Sequence, residues 1–150
     1  MDTHCNSHKL LKRAGIDLTA HRETILDAFL FAQKALTPQD ILKKIRKLKS
    51  IDKVTLYRIL DLFVNKRVLR KISAFNGPMR YEIICQEHHP IHPHFICRDC
   101  GHMECLNDMD ISRIKNSIRH KRNFREEDID LKLEGLCKEC EDTPGVRFYA

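Results

Sequence analysis

The segment from Cys85 to Cys105 reads CQEHHPIHPHFICRDCGHMEC. Its 21 residues contain four cysteines and five histidines. Thiol and imidazole ligands at this density are typical of metal binding, and few other requirements concentrate them so strongly. We therefore expect metal sites in this segment, and we interpret the chain on either side of it in relation to those sites.

Two Cys-x-x-Cys pairs predict a structural zinc site. The first pair is Cys97 and Cys100, and the second is Cys137 and Cys140. Each pair can present two thiolates to one ion, and two pairs complete a tetrahedron with no open coordination position. The 36 residues between the pairs must fold outside the site, so we expect a strand, a helix and a strand there. The alternative, a thiol oxidoreductase, would need one reactive pair near the start of a βαβ unit.

The other ligand types in the segment predict a second metal site. His92 and His94 are two residues apart, which places both side chains on one face of an extended strand. Cys105 lies on a predicted strand that can return beside His94, and Cys85 begins the segment. Two thiolates and two neutral imidazoles favour zinc over iron(II). The alternative for each cysteine is a small core residue. Substitute ligands for this site are Glu82, His88, His89, His102 and Glu104.

Positive charge is concentrated in the first half of the chain. Residues 1–82 hold 17 Lys and Arg against 8 Asp and Glu, whereas residues 83–150 hold 10 against 13. A basic first half predicts an anionic partner for that half alone, and nucleic acid is the usual one. A solvated basic face is the alternative interpretation.

The sequence contains no segment that predicts export or a membrane span. No apolar run approaches the roughly 18 residues of a spanning helix, and the N-terminal residues contain no apolar signal core. We therefore expect a cytoplasmic protein with no membrane partner, in a compartment where thiols stay reduced. In that setting the seven cysteines are interpreted as metal ligands before disulfides, although Cys5 is isolated and is not expected to be a ligand.

The pattern of the first 66 residues predicts a short helix at 8–14 and three longer helices. Thr19, Thr37 and Asp52 each precede an apolar stripe and can cap a helix N-terminus. Pro38 fits the first position of the helix that follows Thr37. The side chains expected to face the core from the last two helices are Ile41, Leu42, Ile45, Leu48, Leu56, Ile59, Leu60 and Phe63.

Two β-prone runs follow these helices. VLRKISAF and MRYEII flank the pair Asn76-Gly77, which favours a hairpin turn. Three helices followed by a basic hairpin is the order of a winged helix-turn-helix, whose last helix enters the major groove of DNA. A plain helical bundle with a β-flap is the alternative.

The chain after Cys105 predicts a mixed region. Asp108 or Asp110 can begin a helix. Residues 129–137 alternate between apolar and polar side chains, as in a half-buried strand. The residues expected to face inward are Ile111, Ile114, Ile118, Ile129, Leu131 and Leu133. The residues after Cys140 are expected to be loose.

Several of these stretches together resemble the ferric-uptake-regulator family of metal-responsive repressors. The matching stretches are LTAHRETIL, LTPQDIL, VTLYRILDLF, HPHFICRDCG and CKEC, in the family's order and over nearly the whole chain. The resemblance implies an α+β protein with a winged helix-turn-helix DNA-binding domain at 1–82 and a hinge at 83–88. It implies a small, zinc-containing α/β dimerisation domain at 89–150 that ends in a loose tail. It also implies a homodimer that binds AT-rich palindromic operators when its regulatory metal is loaded.

The resemblance also assigns roles to individual residues. Tyr57 and Arg58 match the family's recognition-helix pair, and the two Cys-x-x-Cys pairs match its structural zinc ligands. The residues expected to contact phosphates and bases are Lys53, Thr55, Tyr57, Arg58 and Arg22.

The expected regulatory site differs from that of the iron and peroxide sensors. Many of those sensors resemble one another in having a histidine just before the third helix, where this chain has Ala35. They also use carboxylates where this chain has Cys85 and Cys105, whereas the histidine pair is kept as His92 and His94. Zinc-sensing members are similar to this chain in drawing on a cysteine near position 85.

The sequence therefore favours a zinc-responsive transcriptional repressor of zinc-uptake genes, with one structural and one regulatory Zn²⁺ per subunit. Its partners would be double-stranded DNA and a second copy of itself, with no small-molecule substrate. Metal bridging the hinge and the dimerisation domain would favour a closed dimer whose recognition helices match successive major grooves.

Three alternatives stay open at this point. The first is an iron(II)- or peroxide-sensing regulator of the same family, with Fe²⁺ as the regulatory metal and oxygen ligands such as Glu82 and Glu104. The second is a thiol-redox or zinc enzyme, which would need a reactive dithiol or an open metal position. The third is an RNA-binding zinc module, which would need exposed aromatic residues for base stacking.

Overall fold

The structure is a computed structural model that describes residues 5–48, 50–74, 77–85, 91–123 and 129–142. The described residues divide into two compact units: those of Met1–Ser73 with Pro78–Pro90, and those of Ala74–Gly77 with Ile91–Ala150. Each unit combines helices with a small sheet, so the predicted α+β class is confirmed. Within the described ranges, no helix has both the length and the apolar character needed to span a bilayer.

The first unit contains four helices, each of which begins at a capping side chain. They are α1 (Ser7–Arg13), α2 (Ala20–Ala32), α3 (Pro38–Ile45) and α4 (Lys53–Asn65). The caps Asn6, Thr19, Thr37 and Asp52 each accept a backbone N–H from the following first turn. These bonds satisfy donors that a helix start otherwise leaves to solvent. The last three caps are the ones that the sequence predicted.

One hydrophobic core holds these helices together. Phe29 of α2, Ile41 of α3 and Phe63 of α4 are all buried in it. Leu48, in contrast, is 76% exposed, so its predicted inward position is wrong. The reason is that α3 ends at Ile45, and the helical spacing that would turn Leu48 inward no longer applies.

A two-stranded antiparallel hairpin completes the first unit. It pairs β1 (Leu69–Ile72) with β2 (Arg80–Ile83). Leu36, between α2 and α3, exchanges two backbone hydrogen bonds of 2.8 Å with Tyr81 of β2, which ties the hairpin to the helices. Asn76 of the predicted turn lies outside the described residues. Helices followed by this hairpin give the winged helix-turn-helix order that the sequence predicted.

The second unit is a three-stranded sheet with two helices. Its elements are β3 (His94–Cys97), β4 (Met103–Cys105), α5 (Ser112–Arg122), β5 (Lys132–Gly135) and α6 (Lys138–Glu141). The strand order is β4-β3-β5, with β3 antiparallel to β4 and parallel to β5. A parallel pair needs a crossover connection, and α5 lies in it. This is the strand–helix–strand excursion that the cysteine spacing predicted, whereas the short α6 was not predicted.

Two side chains that were predicted to face inward are exposed. Ile114 of α5 is 45% exposed and Leu133 of β5 is 49% exposed, although Ile111 is buried. The alternation therefore correctly predicted a strand but not a covered face. The predicted start of α5 is close to the observed one, since the Asp110 carboxylate accepts the N–H of Ser112 at 2.9 Å.

Candidate metal centres and nucleic-acid interface

Four thiols converge where the two Cys-x-x-Cys turns of the second unit meet. Cys97 ends β3 and Cys100 lies in the turn after it, while Cys137 precedes α6 and Cys140 lies within it. The four Sγ atoms lie within 4.8 Å of one another, and those of Cys100 and Cys137 are 3.7 Å apart. Sulfurs at the corners of a zinc tetrahedron with bonds of about 2.3 Å are about 3.8 Å apart. The donor set and its spacing therefore fit a structural zinc.

Backbone hydrogen bonds build this arrangement from local structure. The parallel register of β3 and β5 pairs Cys97 with Gly135, and the Arg98 N–H donates to the Gly135 carbonyl at 2.8 Å. Gly101 has a φ of 75°, a left-handed conformation that glycine adopts without a Cβ clash. It allows the first turn to fold back on itself. The sheet and the turn thus bring the two cysteine pairs together.

The pKa values of Cys97 and Cys140 are shifted in opposite directions. Burial acts to raise the pKa of Cys97, but backbone N–H groups of Cys100, Cys137 and Asp99 outweigh it and lower that pKa to about 6. At Cys140 a hydrogen bond with Cys137, followed by burial, raises the pKa of the thiol. One thiolate is therefore ready at neutral pH as the first ligand for a cation. The Cys140 thiol needs the charge of that cation in order to ionise.

A second group of donors lies on the same sheet. His94 of β3 is the cross-strand partner of Cys105 of β4, and His92 lies two residues before His94 in the sequence. The candidate ligand atoms of these three residues lie within 4.8 Å of one another. His94 is fully buried, and its ring centroid is 4.6 Å from that of His92. One thiol and two imidazoles form a donor set that suits zinc.

Cys85 belongs to neither of these two groups among the residues that the structure describes. It follows β2 in the first unit, where its thiol hydrogen bonds with that of Cys5. Both cysteines pack against the hydrophobic core of that unit. The ligand role of Cys85 therefore stays a prediction, whereas the expectation that Cys5 is isolated is wrong. No local pattern indicated this contact, since 80 positions separate the two residues.

The substitute ligands have different surroundings. Glu82 is a buried residue of β2, and its Oε1 lies 3.7 Å from Nε of Arg70, its cross-strand partner on β1. His102 and Glu104 are exposed in the second unit and join neither group in the described chain. The remaining two substitutes, His88 and His89, lie outside the described residues.

A polar face of α4 is the candidate nucleic-acid interface. Lys53 and Arg58 are exposed, and Tyr57 is 47% exposed. Lys53 and Tyr57 are one turn apart on the helix and Arg58 follows Tyr57, so these three side chains belong to the solvent-exposed side of α4. Thr55 is half-buried. Arg22, on α2, is half-buried too, and its Nη1 donates to a backbone carbonyl five residues earlier at 2.7 Å.

Comparison with known sequences points to one family. A sequence model described as the ferric uptake regulator family matches residues 13–134. The ferric uptake regulation protein of Helicobacter pylori is 28% identical over 134 residues, which cover 89% of this chain and 87% of that protein. The ferric uptake regulation protein of Staphylococcus epidermidis is 31% identical over 134 residues, which cover 89% of this chain and 92% of that protein.

Comparison with solved structures agrees with this. The ferric uptake regulator of Vibrio cholerae matches with a TM-score of 0.71 at 27% identity, over 88% of this chain and 100% of that chain. The structure of the Helicobacter pylori regulator is described as revealing three functional metal binding sites. It matches with a TM-score of 0.72 at 26% identity, over 92% of this chain and 91% of that chain. A zinc-bound manganese uptake regulator shares the fold, with a TM-score of 0.64 at 22% identity, over 89% of this chain and 99% of that chain.

Proposed function

Because this chain belongs to the ferric uptake regulator family, we propose that it is a zinc-responsive repressor of zinc-uptake genes. Members of this family are metal-responsive DNA-binding regulators and not enzymes. The observation that carries the choice of zinc is the thiol of Cys105 beside the imidazoles of His92 and His94. A thiolate with two imidazoles favours zinc, whereas iron(II) favours oxygen and nitrogen ligands. The protein is expected to act in the cytoplasm, where these thiols stay reduced.

We assign one zinc to each group of donors. The four-cysteine group would hold a structural ion, since four thiolates fill a tetrahedron and leave no position for a substrate. The group around His94 would hold the regulatory ion. When bound, each zinc would supply positive charge that stabilises thiolates in a buried setting. The chain's own contribution is to hold the donors close together on a sheet.

We propose that Glu82 is the fourth regulatory ligand in place of Cys85. Two features support this choice: the carboxylate of Glu82 is buried, and only nine residues separate it from His92 in the sequence. A ligand set drawn from both sides of the predicted hinge at 83–88 would link metal loading to the spacing of two DNA-binding domains. The metal then needs only a higher affinity for the DNA-binding conformation to shift the population toward it.

The proposed DNA target is a palindromic operator read by a homodimer. The exposed face of α4, with Lys53, Tyr57 and Arg58, supports major-groove contact by each copy. Ile114 and Leu133 are exposed apolar residues of the second unit, and β5 is an edge strand. Apolar side chains beside an open strand edge are a suitable surface for pairing with another copy.

An iron(II)-responsive regulator is the second candidate. Glu82 would add an oxygen ligand to the two histidines, and the relatives from H. pylori and S. epidermidis are named ferric uptake regulation proteins. The thiol of Cys105 argues against iron(II) as the preferred metal. The choice between the two metals is therefore a choice between sulfur and oxygen as the dominant donor.

The experiment compares wild type with Cys105→Ala. We expect two zinc ions per wild-type subunit and one per variant subunit, with the far-UV circular dichroism unchanged. Losing a direct ligand should cost the regulatory site more than the roughly 10–100-fold in affinity typical of an outer-shell loss. Binding to a DNA fragment selected from a random pool in the presence of zinc should lose its zinc dependence in the variant.

Cys5→Ala is the matched control, because it removes a thiol outside both donor groups and should keep two zinc ions. DNA binding is measured at buffered free zinc and, separately, at buffered free iron(II). Retention of two zinc ions by Cys105→Ala would contradict the assignment of the regulatory site. Restoration of DNA binding by iron(II) but not by zinc would favour the second candidate.

A further inference from the structure

The thiols of Cys5 and Cys85 form a pair that neither metal-binding group uses. Cys5 precedes Asn6, the N-cap of α1, and Cys85 follows the end of β2. Their side chains hydrogen bond with each other, and both lie half-buried against the hydrophobic core of the first unit. These two thiols therefore meet in a partly apolar setting, outside both donor groups.

We propose that Cys5 and Cys85 form a reversible disulfide, a modification site that responds to hydrogen peroxide without using the metal ligands. A disulfide bond is about 2.05 Å long, so two sulfurs in hydrogen-bonding contact need to approach by roughly 2 Å. Cys5 lies just before α1, and Cys85 forms an isolated β-bridge two residues beyond β2, so both lie outside the named helices and strands. This inference does not rest on the proposed function.

The reaction consumes one peroxide and two thiols. Burial, together with repulsion from the Cys85 thiolate, raises the pKa of Cys5 to about 11, so Cys5 stays protonated at neutral pH and we assign the first attack to Cys85. The Cys85 sulfur bonds to one oxygen while the O–O bond breaks, which gives a sulfenic acid and a hydroxide that is protonated to water. The Cys5 sulfur then loses its proton and attacks the sulfenic sulfur. The S–O bond breaks and hydroxide leaves with that proton as a second water.

The disulfide would join the start of α1 to the end of β2. It would close a long loop of chain and restrict the unfolded state, so it should stabilise the first unit. The thiols of the four-cysteine group and of Cys105 take no part in it. Oxidation at this pair can therefore change the first unit while both metal sites keep their ligands.

The test uses the full-length, zinc-loaded protein treated with increasing hydrogen peroxide. After alkylation of the remaining thiols, peptide mapping by mass spectrometry identifies each cross-link, while a chromogenic chelator reports zinc release. We expect the Cys5–Cys85 peptide pair to appear before zinc is released and to disappear on reduction with dithiothreitol. We also expect the oxidised protein to melt at a higher temperature than the reduced protein.

Cys5→Ser and Cys85→Ser are the variants, and both should lose the cross-link and the rise in melting temperature. Their zinc release by peroxide should match that of wild type. Cys5→Ala serves in addition, because it keeps an apolar side chain against the core if Cys5→Ser unfolds. The proposal is overturned if zinc release precedes the cross-link, or if no such cross-link forms even after equilibration with oxidised dithiothreitol.

Discussion

Asp40 and Thr37 show how two side chains fix the start of a helix. The Asp40 Oδ2 accepts the N–H of Thr37 at 3.0 Å, and the Thr37 Oγ1 accepts the N–H of Asp40 at 3.1 Å. Partial burial acts to raise the pKa of Asp40, but hydrogen bonds from Thr37 and the charges of Lys34 and Arg80 outweigh it. The pKa of this carboxyl is therefore held below its ordinary value.

We expect Asp40→Asn to destabilise the first unit by about 1 kcal/mol at neutral pH. A carboxyl whose folded-state pKa is lowered stabilises the fold above its unfolded pKa of about 4, and this contribution is lost as pH falls through the folded value. The difference in free energy of unfolding between wild type and variant should therefore shrink below about pH 4. Urea unfolding followed by circular dichroism between neutral and acidic pH measures it.

Asp27→Asn is the control for this substitution. Asp27 is an exposed carboxylate of α2, so its loss should change the free energy of unfolding by less than about 0.5 kcal/mol. A gap between wild type and Asp40→Asn that widened on acidification would contradict the assigned role.

Single residues were predictable where local spacing carries the chemistry. The Cys-x-x-Cys pairs place two thiols on one turn whatever the rest of the fold does, and His92, just before β3, lies beside His94 at its start for the same reason. The partner of Cys85 could not be predicted, because it depends on how α1 and β2 approach each other in the folded unit. A thiol also packs as a small apolar group, so its residue type alone does not separate a ligand from a core position.

At the scale of elements, caps and apolar stripes predicted α2 and α4 closely. Asp52 begins α4, and its predicted apolar stripe, which includes Leu56 and Phe63, is buried. The end of α3 was less predictable, because the residues after Ile45 include no glycine or proline that marks a stop. Leu48 keeps helical spacing in the sequence but lies beyond the helix. Helix starts are therefore better encoded in this chain than helix ends.

We expect Arg58→Ala to weaken binding to the selected DNA by roughly 10–100-fold, the cost of losing one guanidinium contact to a base edge. If Arg58 contacts a phosphate instead, the slope of log affinity against log salt concentration should fall in magnitude by about one in the variant. The affinity for all DNA sequences should then fall alike. Titrations at several salt concentrations, with a shuffled DNA as competitor, separate the two outcomes.

Lys66→Ala is the matched control within α4. Lys66 is exposed at the C-cap, eight residues and about 12 Å along the helix axis from Arg58. It carries the same charge but lies away from the face formed by Lys53, Tyr57 and Arg58, so its loss should have little effect. Equal losses in the two variants would show that α4 contributes only general positive charge.

At the scale of the whole molecule, the two units differ in how much apolar surface they bury. Among the described residues, the buried hydrophobic side chains of the second unit are Ile96, Cys97 and Ile111, whereas the first unit buries a large cluster from four helices and a hairpin. A small unit with so little core needs a further source of stability, which a structural metal can supply. The spacing of the cysteines predicted a structural metal site, and the small core supports the proposal that this unit depends on such a metal.

We therefore expect removal of zinc to unfold the second unit and to spare the first. A strong chelator at neutral pH should abolish the tertiary signals of residues 91–142 in an NMR spectrum, while the signals of the helical core around Phe29 and Phe63 persist. In thermal denaturation, the zinc-loaded protein should show unfolding of both units, whereas the chelated protein should show one cooperative transition, that of the first unit.

Cys100→Ser should reproduce this loss without chelator, since three thiolates leave the tetrahedron incomplete. Cys105→Ala should not, because Cys105 lies outside the four-cysteine group. If chelation unfolded both units together, the first unit would depend on the second for its stability, and its own core would be insufficient to fold alone.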